Sequence, residues 1–152
     1  MIQRMQSVYL FLVFIVAVVL MFFPLATFNL GDSIFQMNMM GFSGADHLDF
    51  ELPNVMAIGI FAALLGILAL FTIFQFKNRK LQIKLNMVNM LINFGLLGSI
   101  FIYAGSIAKE LHIDADYDIA AYFPVVSVLL LILANRNIRA DEKLIRQSER
   151  LR

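Results

Sequence analysis

The sequence predicts an all-α membrane protein: a four-transmembrane-helix bundle, both termini cytoplasmic, with a small extracytoplasmic β element. Three observations carry that expectation. The 152 residues are 61% hydrophobic and 15% charged, with a mean hydropathy of +0.80, far from the balance of a soluble domain. Four uncharged apolar runs punctuate the chain, and the basic residues fall almost entirely on one side of those runs.

A membrane-crossing helix needs about 20 apolar residues. The first candidate spans residues 8–28. Its apolar run is too long for the core of a cleaved signal peptide, and no small-x-small site precedes a polar start, so an uncleaved span is expected. The second covers 55–76 and the third 85–107. The fourth has an apolar centre of only about 16 residues, 119–134, and gains length by running from 117 to 135, its polar ends reaching toward the interface. Pro24 and Pro124 lie near span ends, where a missing backbone donor is tolerated. The remaining residues, 136–152, read NRNIRADEKLIRQSERLR from Asn135 onward, a basic cytoplasmic tail expected to extend the helix, with Glu142 and Arg146 at i,i+4 spacing.

Charge orients the spans. Arg4 precedes the first; Lys77, Arg79, Lys80 and Lys84 link the second and third; Arg136, Arg139, Lys143, Arg146, Arg150 and Arg152 follow the fourth. Only Lys109 of the twelve basic residues falls on the other side, so the positive-inside rule places both termini in the cytoplasm. The basic tail offers a surface for anionic lipid or a cytoplasmic partner. Nothing in the chain resembles a nucleic-acid-binding motif.

The extracytoplasmic segments alternate with period two. Phe35, Met37 and Met39 interleave with Gln36 and Asn38; residues 41–45 supply a turn; Leu48, Phe50 and Leu52 interleave with His47, Asp49 and Glu51. This pattern predicts a hairpin over 34–52. HIDADYD, residues 112–118, alternates in the same way and is a possible third strand. The bland account is a mini-sheet with one apolar and one wet face. The chemical account is a cation site in which His47, Asp49, Glu51, His112, Asp114, Asp116 and Asp118 converge, the carboxylates suiting a hard cation and the imidazoles a transition metal. The acids do not follow the spacing of an EF-hand loop, and no metal or other cofactor is assigned.

The apolar centres of the spans, 8–28, 55–76, 85–107 and 119–134, contain no Asp, Glu, Lys, Arg or His, the groups that mark ion paths and proton relays. They contain helix-contact residues instead. Gly59, Ala63 and Gly66, with Ala62 and Ala69, form a small-residue stripe on span two. Asn86, Asn89 and Asn93 lie within about 60° of one another around span three. Amides in lipid need partners, so these residues either hold this bundle together or dock a helix of another subunit.

Without cysteine there is no disulfide, thiolate ligand or thiol nucleophile. Ser43, Ser106 and the two histidines form no recognisable nucleophile–base arrangement. A non-enzymatic role is expected: an accessory, scaffold or assembly subunit of a larger membrane complex, with a membrane-protein partner or a second copy of the chain. The alternative is a periplasmic cation or ligand sensor using the acidic loops.

Three segments, MIQRMQSVYL, RKLQIKLNMVNMLINFGLLG and above all AYFPVVSVLLLILANRNIRADEKLIRQSERLR, resemble an uncharacterised domain-of-unknown-function family of small four-span bacterial membrane proteins typical of Bacteroidota. The resemblance covers the whole chain. It implies the inner membrane of a Gram-negative cell, with the acidic loops in the periplasm, and it supplies no catalytic or binding residues.

Overall fold

A computed structural model describes residues 3–31, 33–45, 52–76 and 78–150. These form four α-helices, α1 (Gln3–Val19), α2 (Met56–Phe74), α3 (Arg79–Leu111) and α4 (Phe123–Arg150), and four short strands, β1 (Ala26–Leu30), β2 (Ser33–Met37), β3 (Phe42–Ser43) and β4 (Ala115–Tyr117).

The helices pack in a ring, α1 on α2, α2 on α3, α3 on α4 and α4 on α1. Each turns a stripe of three- and four-residue spacing inward: Gln6, Leu10, Val13, Ala17 and Leu20; Ile58, Ala62, Leu65, Ala69 and Thr72; Gln82 through Ile107; and Ser127, Leu131, Ala134, Ile138 and Asp141. The outer faces are also apolar. Ile60, Ile67 and Phe71 on α2, Leu91 and Phe94 on α3, and Leu129 and Ile132 on α4 are all exposed. The segments Met56–Phe74, Arg79–Leu111 and Ile119–Leu144 are each long and apolar enough to cross a membrane, while α1 is shorter.

One antiparallel sheet, in the order β3-β2-β1-β4, caps one end of the ring, because β1 follows α1 and β4 follows α3. Its inner face buries Ala26, Phe28, Phe35 and Met37. Phe28 and Phe35 are register partners, and their rings stack at 5.0 Å and 15°. The opposite end of the ring holds the start of α1, the α2–α3 link and the end of α4.

Several predicted boundaries differ. The first span does not reach residue 28. Helix α1 ends at Val19, and residues expected at the end of the span form β1. Pro24 accounts for the break: its ring cannot continue a helix and pushes Phe23 toward extended backbone. Outside the expected hairpin of 34–52, β2 also pairs with β1, joined by a two-residue link that starts at Gly31 with φ +60°, the left-handed conformation such links require. Phe42 and Ser43, expected in a turn, pair instead with Met37 and Gln36. The expected strand at 47–52 falls mostly on residues 46–51, outside the described residues; Leu52 carries no strand.

The third strand is narrower than 112–118. Ala115–Tyr117 pairs with the free edge of β1, while His112 ends α3 in the left-handed region at φ 53°. Helix α3 starts at Arg79, with the Leu81 amide donating to Asn78 Oδ1 at 3.1 Å, because a helix can continue into charged sequence that a hydropathy boundary excludes. For the same reason the fourth span and the tail form one helix from Phe123 to Arg150, entered through a 3-10 turn at Ile119–Tyr122.

Candidate functional site: a buried polar seam

The interior is polar on one side. Asn86, Asn89 and Asn93 on α3 are each 0% exposed, whereas Leu91 on the outer face of the same helix is 71% exposed. Seven residues separate Asn86 from Asn93, two helical turns, so both project toward the same neighbour. That neighbour is α4. Asn86 Nδ2 donates to the Leu131 carbonyl at 2.8 Å and Asn93 Nδ2 to the Pro124 carbonyl at 3.1 Å. One contact rises along α3 as the other descends α4, so the helices are antiparallel and Asn89 lies level with Ser127.

Gln82 extends the seam by one further turn. Its Nε2 donates to the Thr72 carbonyl of α2 at 2.9 Å, and Thr72 Oγ1 donates to its own helix at Leu68 O. At the mouth, Arg79 Nη1 and Asp141 Oδ2 form an ion pair at 3.3 Å, with side chains 15% and 6% exposed. Its angle is not that of a hydrogen bond, since Asp141 Oδ2 has no hydrogen-bond partner. Beyond Asn93 the inward stripe of α3 becomes Leu96, Ile100, Ala104 and Ile107, all buried, closing the seam toward the sheet.

Several buried polar atoms of the seam have no hydrogen-bond partner in the protein: Gln82 Oε1, Asn86 Oδ1, Asn93 Oδ1, Ser127 Oγ, and both Oδ1 and Nδ2 of Asn89. Gln6 Oε1 on α1 and Asn135 Oδ1 on α4 are in the same state. Gln6, Gln82, Ser127, Asn135 and the Arg79–Asp141 pair were not among the sequence-predicted site residues. Gln82 carried a usable signal, lying four residues before Asn86 on the same helical face.

The small residues of α2 meet this chain's own elements. A Cβ at Gly66 would approach Ala17 Cβ to 3.3 Å and Phe14, and one at Gly59 would approach the Met39 carbonyl to 3.2 Å. Ala63 is exposed and lines an apolar groove between α1 and α2 with Phe14, Ala17, Met21, Met40 and Ile67.

On the sheet's wet face Asp116 and Asp118 have polar partners. Thr27 Oγ1 donates to Asp118 Oδ2 at 2.9 Å and Asn29 Nδ2 to Asp116 Oδ2 at 3.2 Å. Gln36 Nε2 approaches Thr27 Oγ1 at 3.5 Å. His112 and Asp114 are exposed. His47, Asp49 and Glu51 lie outside the described residues, and among the described residues no three His, Asp or Glu side chains are grouped to hold a metal ion.

The chain belongs to the family described as Domain of unknown function (DUF4293), whose model matches residues 2–151. Comparison with curated proteins and with solved structures finds no match.

Proposed function

We propose that this DUF4293 chain is a multi-pass protein of the bacterial inner (cytoplasmic) membrane, with both termini in the cytoplasm, acting as a non-enzymatic accessory, scaffold or assembly subunit of a larger membrane complex. The observation that carries the membrane reading is the radial distribution of polarity. A row of amides lies within an otherwise apolar interior while Leu, Ile and Phe also cover the outside, an exterior that water does not select. Helix α2, with 19 residues, rises about 28 Å, close to the roughly 30 Å of a bilayer core. The end of the ring holding the α2–α3 link and the end of α4 carries the basic segments, which the positive-inside rule assigns to the cytoplasm.

Support for a subunit role comes from the α1–α2 groove. Most of the small residues of α2 are used in packing within the chain, but Ala63 and Ile67 stay exposed beside Met21 and Met40. A groove floored by small residues and rimmed by pliable methionine suits an apolar helix of a membrane partner. Mild-detergent affinity purification from the native host membrane, followed by mass spectrometry, tests this reading. A stoichiometric membrane protein should accompany the wild type and be lost from Ala63→Phe. Recovery of wild type as a lone monomer would contradict it.

A further inference from the structure

The corner between β2 and β3 carries residues that turn chemistry does not call for. The Asn38 amide donates to the Gly41 carbonyl at 2.8 Å, and the two residues between them are Met39 and Met40, where such corners ordinarily hold Gly, Asn, Asp or Pro. Neither methionine has positive φ, so no backbone demand selects them. Met39 is 4% exposed and belongs to the core, but Met40 is 63% exposed and Met21, just after α1, is 54% exposed. All three line one cavity of about 270 Å³ with Asn38, Gly41 and Phe42, and all three also line the α1–α2 groove. Packing accounts for part of Met40, whose Cγ lies 3.4 Å from where a Gly59 Cβ would sit. Leucine would cover that glycine equally and lose less side-chain entropy. What methionine adds at these positions is sulfur.

We infer that Met21, Met39 and Met40 form a thioether site for a soft monovalent cation, Cu(I) or its redox-inert analogue Ag(I). Thioether sulfur is a soft, neutral ligand that selects Cu(I) over the harder divalent metals. The residues lining the cavity include no carboxylate and no imidazole, so Ca²⁺ or Mg²⁺ would find no charged oxygen there. Asn38 spends its side-chain nitrogen on Ser43 Oγ, which leaves sulfur as the prevailing donor. A single charge shared by three sulfurs also costs less to hold in a half-apolar cavity than a double one. Met21 and Met40 are exposed, and three rotatable bonds in each let their sulfurs converge on an ion beside Met39. The site lies at the sheet end of the bundle, away from the basic segments, and on the proposed topology it opens to the periplasm. The inference is independent of the accessory-subunit reading, since it requires no other protein.

The test is NMR of the methionine methyl groups of the full-length chain, purified in detergent micelles and titrated with silver nitrate in chloride-free buffer. The methyls of Met21, Met39 and Met40 should shift together and saturate with one ion bound per chain. Met5 and Met87, similarly exposed but at the opposite end of the bundle, should stay unmoved. Because a thioether binds no proton, the affinity should be unchanged when the pH is lowered through the ordinary imidazole range around 6.5. Absence of a saturable shift overturns the inference, as does an equal response at Met5 and Met87. Loss of binding on acidification would make a histidine the ligand and overturn the thioether assignment. Met21→Leu and Met40→Leu nearly conserve volume, and each should weaken silver binding at least about tenfold; undiminished affinity in either variant would overturn the three-sulfur set. The wild-type titration decides whether the ion is bound even if a variant fails to fold.

Discussion

The Asn86 amide nitrogen sits 2.8 Å from the Leu131 carbonyl oxygen, and one heptad along each helix, in opposite directions, Asn93 meets the Pro124 carbonyl. Two rungs a heptad apart fix both the register and the rotation of α3 against α4, which apolar contact alone leaves loosely specified. Asn86→Ala and Asn93→Ala should each lower stability by about 0.5–2 kcal/mol, the range for interhelical hydrogen bonds in a membrane setting. The rungs are about 10 Å apart, so the double variant should come out near additive. Equilibrium unfolding in mixed micelles measures all three.

Glycine positions divide by what a side chain would meet. Gly66→Val drives a branched side chain toward Ala17 and Phe14 and should cost about 1–3 kcal/mol by forcing α1 from α2. Gly98, with open space around its Cβ position, should accept Ala with little change. Gly44 has φ +78° and a would-be Cβ 2.9 Å from the Ile34 carbonyl, so Gly44→Ala should destabilise the β2–β3 corner through both strain and clash. Thermal melts of the three variants in one detergent give the ranking.

The Arg79–Asp141 pair lies at the seam mouth, Asp141 buried and Arg79 partly so. Removing one partner leaves the other charge unpaired in a largely desolvated site, for which a loss of up to about 3–5 kcal/mol is expected. Arg79→Ala and Asp141→Ala should each be markedly destabilising, and the double variant less so than the sum. A double-mutant cycle on unfolding free energy reads the coupling directly.

Thr27 both donates to Asp118 and receives from Gln36, joining β2, β1 and the entry to α4. Thr27→Val keeps shape and strand preference but removes the hydroxyl, and should cost about 1 kcal/mol. Hydrogen exchange should rise at β4 amides more than at β2 amides, because β4 is an edge strand held by only three register pairs.

The asparagine stripe was legible because three amides on one face of an apolar run have no other account than a buried or docking surface. Ser127 was not, since one polar residue in an otherwise apolar stretch carries no periodicity of its own, whereas Gln82 continues the asparagine face by one turn. The first three residues of β1, Ala26 to Phe28, read as the end of a helix because they are uncharged, and hydropathy does not separate a short strand from a helix end; Pro24 is the stronger signal. The period-two pattern located β2 and β4, yet not their partners. Which strand lies in the middle depends on where α1 and α3 deliver the chain, a tertiary property.

The claim on which the account rests is that this bundle crosses a membrane with its basic end in the cytoplasm. The chain has no cysteine, so single-cysteine variants at exposed Ser43, Glu110 and Lys143 can be labelled with a membrane-impermeant maleimide on intact spheroplasts. Ser43→Cys and Glu110→Cys should react from outside, and Lys143→Cys only after permeabilisation. Labelling of all three from the same side, or of Lys143→Cys alone from outside, would contradict the topology.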